Sequence, residues 1–368
     1  MSNTHADSAQ GELTQDMEDQ GLESPEVIQT SLAAAMTLGL KGGQFYRNAK
    51  LTCLNLLLTY QEGCQGRCGY CGLEQKRSEV TKGTTFIRVA WPTYSFDLIL
   101  ERAKQHQNSL KRICLSMITH MRATEDSLKL VTRLHREVNL PISILCAPTL
   151  IHKLEDLQKF KEAGADQLGV SIDAATPELF QKYRGKGVRG PHQWDHYWNI
   201  LRKGVAVFGP GHISVHLIVG LGESEQEMVT AFQQVHDLGA VVHLFSFYPE
   251  PGSALAEKAA PSLGQYRRMQ LARYLIMNDI TSAKIMSFNR SEQLSDFGME
   301  VQAFVASGQP FRTSGCPGHD GETACNRPYG NERPGTTLAN YPFVPNLQDV
   351  EQIRGELYSG LMEGVKSL

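Results

Sequence analysis

From residue 52 to residue 314, apolar runs of strand length recur between stretches of helical periodicity, and that alternation constrains the fold more than any other feature. The runs are 52–59 (TCLNLLLT), 112–117 (RICLSM), 142–147 (ISILCA), 167–172 (QLGVSI), 212–219 (HISVHLIV), 240–247 (AVVHLFSF), 284–287 (KIMS) and 310–314 (PFRTS). Segments such as Phe96–Lys104 and Leu150–Lys161 lie between them, with apolar residues at helical spacing. Strands alternating with helices build a parallel sheet. The pattern therefore predicts an α/β fold, a TIM-type (β/α)8 barrel, with a doubly wound open sheet as the competing arrangement. The expected organisation is a polar tail and N-terminal helix over residues 1–44, a barrel over 45–315, and a cysteine-containing loop and helix over 316–368. Within the first unit, residues 1 to about 25 read as a mobile tail and residues 26–40 as a helix.

The chain has 368 residues, 41% of them hydrophobic and 20% charged, enough to bury a sizeable core. Its net charge of −3 gives no general attraction to nucleic acid or to an anionic membrane. No apolar run approaches the roughly 18 residues of a membrane span. The start, Met1-Ser-Asn-Thr-His5, lacks the charged and apolar blocks of a secretory signal. The expectation is a cytoplasmic protein that binds neither nucleic acid nor membrane.

Eight cysteines are present, and three of them, Cys64, Cys68 and Cys71, follow the first strand run at C-x3-C-x2-C spacing. Such spacing without a signal sequence favours metal or redox chemistry over disulfides. In a barrel this loop lies at the strand C-termini, where chemistry is placed. A closed zinc site needs a fourth ligand nearby, and no second Cys or His pair follows within about 30 residues. A thiol switch would use only Cys68 and Cys71. A [4Fe–4S] cluster held by three thiolates uses all three and leaves one iron open to an outside ligand.

With its aromatic before the third cysteine, this motif resembles that of the radical S-adenosylmethionine (SAM) superfamily. The resemblance implies that Cys64, Cys68 and Cys71 hold a [4Fe–4S] cluster whose open iron chelates exchangeable SAM. Reduction by a low-potential electron donor then yields a 5′-deoxyadenosyl radical that takes hydrogen from unactivated carbon. Tyr70 matches the aromatic near the adenine. Gly169-Val-Ser-Ile-Asp-Ala-Ala-Thr-Pro-Glu178 resembles the biotin-synthase branch, which implies ribose contacts from Ser171 and Asp173. On local pattern alone, Asp173 reads equally well as a helix cap ahead of Thr-Pro-Glu. Leu217-Ile-Val-Gly-Leu-Gly-Glu-Ser224 resembles the strand-five motif, with Ile218 beside the adenine. The branch's Gly-Gly-Glu motif is absent, and Leu115-Ser-Met-Ile118 stands in its place.

Biotin synthase carries a second, sacrificial cluster, and Cys114 and Cys146 resemble two of its four ligand positions. The C-terminal stretch Phe311–Gly335 contains Cys316 and Cys325 in an irregular Gly- and Pro-rich loop. A barrel would return this loop to the catalytic face. It is read as the seat of an auxiliary [4Fe–4S] cluster on Cys316 and Cys325, with Cys114, facing inward, as third ligand. Cys53, near the bottom of its strand, is expected to lie too far away. Arg312-Thr-Ser314 resembles the Arg-Ser-Ser ending of lipoyl synthase, which implies Ser314 as a further ligand.

Together with Thr85–Pro92 and Cys325–Gly335, these motifs resemble one subunit of the two-component lipoyl synthases. The implied activity is sulfur insertion into an octanoyl chain on a lipoyl-carrier protein, alongside a second radical SAM subunit. Leu56, Leu58, Leu115, Leu145 and Phe247 are candidate liners for the alkyl chain. The alternatives are another radical SAM reaction, a rearrangement or methylation with one cluster, and a non-enzymatic iron–sulfur or zinc protein.

Overall fold

The computed structural model describes residues 21–73, 85–86, 89–327 and 338–361. Residues 1–20 of the expected tail, Ile87–Arg88, and the motif residues Pro328–Gly335 lie outside the described residues.

One eight-stranded sheet organises the chain. Its strands are β1 (Val27–Thr30), β2 (Cys53–Leu57), β3 (Thr93–Ser95), β4 (Arg112–Ser116), β5 (Ile142–Cys146), β6 (Ala165–Asp173), β7 (Ile213–Val219) and β8 (Val241–Ser246). Their order is β8-β7-β6-β5-β4-β2-β1-β3. The six strands from β2 to β8 along the β4–β7 series run parallel. β1 pairs antiparallel with both β2 and β3, finishing that edge. The helices are α1 (Leu32–Thr37), α2 (Phe96–Gln105), α3 (Ala123–Glu137), α4 (Leu154–Glu162), α5 (Pro177–Tyr183), α6 (Trp194–Phe208), α7 (Glu225–Asp237), α8 (Leu263–Met277), α9 (Gln302–Ser307) and α10 (Leu347–Leu357). At least one of them follows every parallel strand but β2, the connection that parallel pairing requires.

The (β/α) barrel-type fold stands, and six of the eight expected strand runs form its parallel part. Two are corrected. Ser287 pairs in a separate small hairpin with Asp296 rather than entering the main sheet. Residues Gln309–Phe311 form a 3-10 turn, and Arg312 makes only an isolated bridge to Tyr341. Pro310 has no N–H to give a ladder, which disfavours a strand there. The missing pair is supplied from the N-terminal side by β1 and β3. The helix expected over 26–40 is confined to 32–37, because Ser31 caps it by accepting from the Ala34 N–H, leaving the β-branched pair Val27-Ile28 to extend.

Strand alternation decides what faces the barrel interior. On β2, Asn55 and Leu57 line interior cavities, while Leu54 and Leu56 are core residues that line neither. On β4, Cys114 and Ser116 face inward and Leu115 does not. Leu145 and Phe247 line the interior as expected, whereas Leu56, Leu58 and Leu115 belong to the packed core outside it.

Helix α8 is buried almost all round and carries three buried arginines, Arg267, Arg268 and Arg273. Arg268 forms a bidentate pair with Glu225 of α7 and donates to the Leu357 carbonyl at 2.8 Å, tying α10 to the barrel wall. Removing one partner of such a pair strands a buried charge. Arg268→Leu is therefore expected to lower unfolding free energy by about 3–5 kcal/mol, read from denaturant midpoints of the metal-free chain; an unchanged midpoint would contradict this role.

Candidate functional site

The loop after β2 carries Cys64, Cys68 and Cys71 to the C-terminal ends of the strands, on the rim of a cavity of about 180 Å³. Backbone dipoles are aimed at two of these sulfurs. Cys64 Sγ accepts from the N–H groups of Gly66 and Thr119, each at 3.4 Å, and Cys71 Sγ accepts from Leu73 N–H at 3.5 Å. Burial pushes the Cys68 and Cys71 thiols up; at Cys68 the Arg184 guanidinium opposes that effect. Tyr70, Ser171, Asp173 and Ile218 line the same cavity, so every residue expected to surround the three cysteines is brought to one place.

Asp173 ends β6 with φ of +66°, a left-handed conformation that Asp tolerates better than most residues. Tyr70 Oη donates to its carboxylate at 2.5 Å, and Arg184 Nη1 pairs with it at 3.1 Å. Burial raises the Asp173 pKa, opposed by Arg184 and by the Tyr70 hydrogen bond. The helix-cap reading of Asp173 is not met, because Thr176 caps α5 by accepting from the Leu179 N–H. Arg184 also donates to the Ser171 and Ile172 carbonyls and to Tyr197 Oη, which fixes the end of β6 from behind. At the end of β7, the Glu223 carboxylate accepts from the N–H groups of Gly220 (2.6 Å) and Gly222 (3.0 Å), which hold φ of +105° and +129°. That turn sets Ile218 against the cavity.

A second group of cysteines lies deeper. Cys53, Cys316 and Cys325 pack together in the interior with Cys114 against them. Cys53 is the first residue of β2, and Cys114 is in register with Asn55, so both belong to the N-terminal half of the barrel. Asn55 Nδ2 donates to Cys53 Sγ at 3.7 Å and to Cys325 Sγ at 3.8 Å. Cys316 Sγ lies 3.6 Å from His243 Nε2. Burial pushes Cys316 up to about 11 against the Ser143 and Ser214 hydroxyls, which stabilise its thiolate. Hydrogen bonds from the Cys114 and Cys53 thiols pull Cys325 well below its usual range.

Two expectations are corrected here. The loop carrying Cys316 and Cys325 does not return to the face of Cys64. Its partners are the starts of β2 and β4: Thr52 Oγ1 donates to Ala324 O at 2.7 Å, Asn326 Nδ2 to Lys50 O at 2.7 Å, and Lys111 pairs with Asp320 at 2.6 Å. Arg112 donates to the Pro317 carbonyl from the same end. Because the loop plugs the N-terminal end, Cys53 is near it after all. Cys146 instead lines the upper cavity, its thiol pushed up to about 12 by burial. Ser314 Oγ accepts from Leu244 N–H at 3.2 Å and borders the lower cavity. The loop is tightly built, since a Cβ at Gly315 would stand 1.9 Å from the Cys325 carbonyl.

The lower cavity, about 30 Å³, shares part of its wall with the upper one: Ser116, Leu145, His216, Phe245 and Arg327 border both. Burial, more than any neighbour, pushes His216 well below its usual value and His243 down to about 4, so both imidazoles are neutral at pH 7. Beside the lower cysteines, His243 Nδ1 and Asn55 Oδ1 are buried without a hydrogen-bond partner among the described residues. Among the described residues, no three His, Cys, Asp or Glu side chains converge as ligands of a single metal ion. Cys53, Asn55, Arg184, His192 and Arg327 were not singled out in the sequence as members of these sites. The alternation Cys53–Asn55–Leu57 carried the signal for the first two, since it places all three on one side of β2.

Residues 58–235 match the Radical SAM superfamily. No curated protein matches the chain. Among solved structures, the chain is similar to methylornithine synthase (PylB), with TM-score 0.48 and 16% identity over 74% of this chain and 73% of that one. It is similar to HydG, a maturase of the [FeFe]-hydrogenase, with TM-score 0.49 and 11% identity over 75% and 62% of the two chains. For the radical S-adenosylmethionine methyltransferase TsrM from Kitasatospora setae, the TM-score is 0.38 at 14% identity, over 68% and 44%.

The Tyr70–Asp173 contact makes a direct prediction. The phenol favours the carboxylate form, so Tyr70→Phe is expected to move Asp173 protonation to higher pH. Infrared or carbon-13 titration of the labelled carboxyl reads this, and a fall in its pKa would contradict the geometry.

Proposed function

We propose that this chain, a radical SAM superfamily protein by the domain spanning residues 58–235, inserts sulfur at an unactivated carbon using two iron–sulfur clusters. The observation that carries the proposal is the pair of cysteine groups facing one interior: three at the strand C-termini and four below them, with a shared wall between their cavities.

The residues fit both groups. Three thiolates above leave a cluster one open corner, and the adjoining cavity offers a carboxylate, a serine, a tyrosine and an apolar side chain to a nucleoside. Below, Cys53, Cys114, Cys316 and Cys325 are enough to close all four corners of a cluster. The buried amide, hydroxyl and imidazole donors around them suit electron-rich sulfur, since hydrogen bonds to cluster sulfurs tune such sites. When bound, cluster and SAM supply a carbon-centred radical above, and the second cluster supplies sulfide below.

The chain's own part is placement. Asp173, held by Arg184 and Tyr70, presents its carboxylate to ribose hydroxyls. The Glu223 turn positions Ile218 for the adenine. Leu145 and Phe245 form the apolar part of the shared wall, where a substrate carbon would meet both cofactors. Ser116, His216 and Arg327 make the rest of that wall polar, so an alkyl chain would pass along one side of it. The substrate class that best suits this layout is an octanoyl chain on a lipoyl-carrier protein, the protein working with a second radical SAM subunit and a low-potential electron donor. No helix among the described residues is long and apolar enough to cross a membrane.

Loss of the lower group should uncouple the reaction. Cys53→Ala/Cys325→Ala is expected to keep forming 5′-deoxyadenosine from SAM while making no thiolated product, whereas Cys64→Ala should lose both. Wild-type protein should stall near one turnover unless its sulfide is restored. A double variant that still thiolates an octanoylated carrier, in the presence of the second subunit, would refute the donor role of the lower cysteines.

A second expectation concerns binding. Asp173→Ala should weaken SAM binding by about 1–3 kcal/mol, the scale for losing a charged hydrogen-bond partner. Isothermal titration checks this; unchanged affinity would remove Asp173 from the ribose site.

A further inference from the structure

A chain of buried hydrogen bonds runs behind the upper cysteines and ends on a residue that the proposed chemistry does not use. Tyr70 Oη meets Asp173, Asp173 meets Arg184, and Arg184 Nη2 donates to Tyr197 Oη at 3.4 Å. Tyr197 Oη then lies 2.8 Å from His192 Nδ1, and Thr149 Oγ1 lies 2.6 Å from the same nitrogen. His192 precedes α6, is 3% exposed, and lines the upper cavity.

The partners assign its tautomer. Tyr197 oxygen already accepts from Arg184, so its hydrogen is free to donate. Thr149 and Tyr197 lie 3.4 Å apart, and both approach Nδ1. With Nδ1 bare, its single lone pair takes one hydroxyl hydrogen and the other hydroxyl can donate to its neighbour's oxygen at 3.4 Å, so both hydrogens have an acceptor. With Nδ1 protonated, it would occupy one hydroxyl oxygen, and one hydroxyl hydrogen of the pair would be left without an acceptor among these groups. The single ring proton is therefore on Nε2.

Nε2 faces the cysteine loop. A methyl group built on Gly66 would stand 3.0 Å from His192 Nε2, 3.2 Å from Cys64 Sγ and 3.4 Å from Thr119 Oγ1. The N–H and the sulfur thus look onto the same small space, left open by a glycine. The backbone on the other side is also committed: a Cβ at Gly190 would stand 2.0 Å from the Arg184 carbonyl and 3.0 Å from the Gly66 carbonyl. The turn that carries His192 is therefore packed directly on the loop that carries Cys64 and Cys68.

We infer that His192 is a positioning residue whose Nε2–H donates toward the Cys64 corner of the upper cluster and raises its reduction potential. This rests on the reading that Cys64, Cys68 and Cys71 hold that cluster. A donor beside a ligating sulfur stabilises the reduced, more negative state, and hydrogen bonds to cluster sulfurs are one of the main levers on such potentials. Thr149, Tyr197 and Arg184 act through the imidazole by keeping its proton on the cluster side. A low-potential donor would then find the cluster within reach, and SAM affinity need not change.

The test is a redox titration of the upper cluster followed by electron paramagnetic resonance, on the lower-site variant Cys53→Ala/Cys325→Ala so that one signal is read. In that background, His192→Leu is expected to shift the midpoint to a more negative potential and to slow 5′-deoxyadenosine formation severalfold at limiting reductant. The KM for SAM should stay the same. His192→Gln, which can again present an N–H, should recover most of the shift. An unchanged midpoint in His192→Leu, or an equal shift in both variants, would overturn the inference. Should His192→Leu fail to hold iron, the loaded parent decides: electron–nuclear double resonance with nitrogen-15 histidine should show an exchangeable proton and a histidine nitrogen coupled to the reduced cluster. Their absence would equally overturn it. Failure of the parent itself to bind a cluster on Cys64, Cys68 and Cys71 would instead strike the underlying reading.

Discussion

The parallel register between β2 and β4 sets the rest of this molecule in place. With Cys53 opposite Arg112 and Asn55 opposite Cys114, one side of each strand delivers thiols and an amide into the barrel. The alternate residues Leu54, Leu56 and Leu115 go to the packed core. A slip of one residue would exchange these sets, burying leucines where the thiols stand and sending the cysteines outward. The loop from 315 to 327 completes the arrangement only because both strands begin at the same level, where Thr52, Lys111 and Arg112 can hold it.

At the other end of the same strands, the upper site depends on one buried cation. Arg184 compensates Asp173, supports the carbonyls of Ser171 and Ile172, and donates to Tyr197. An isolated carboxylate so deeply buried would take up a proton; Arg184 and the Tyr70 hydroxyl oppose that shift. The two ends differ in kind. The upper cysteines sit on a loop beside an open cavity, whereas the lower ones lie in the interior, two on strands and two on a plug, with little space left between them.

Much of this was legible in the sequence because strand periodicity and tight cysteine spacing are local signals. The six parallel strands fall where their apolar runs lie, and Cys64, Cys68, Cys71, Tyr70, Ser171, Asp173 and Ile218 line one cavity. The misreadings concern distance along the chain. The antiparallel β1 is four residues long and lies beside a helix start, so its Val27-Ile28 pair reads in sequence as part of that helix. Residues 310–314 have strand composition, yet Pro310 cannot pair and the segment instead leads into the plug. In sequence, the position of Cys53 near the strand start reads as remote from a loop expected at the top. Which end of a barrel a terminal segment enters is decided by tertiary contacts such as Lys111–Asp320, separated by about two hundred residues, and no local pattern reports it. Arg184 and His192 were invisible for a related reason: they lie in a polar turn whose burial arises only when it packs on the cysteine loop.

The central claim is that one chain holds two clusters on separate cysteine sets, and iron stoichiometry after anaerobic reconstitution tests it most directly. Wild-type protein is expected to take up about eight iron atoms, four per cluster. Replacing Cys64, Cys68 and Cys71 together should leave about half of that in a form whose spectrum ignores added SAM. Replacing Cys53, Cys114, Cys316 and Cys325 together should leave the other half, in a form whose spectrum changes when SAM is added. Wild-type uptake of only one cluster, lost entirely with Cys64, Cys68 and Cys71 and untouched by the lower replacements, would contradict the two-cluster account.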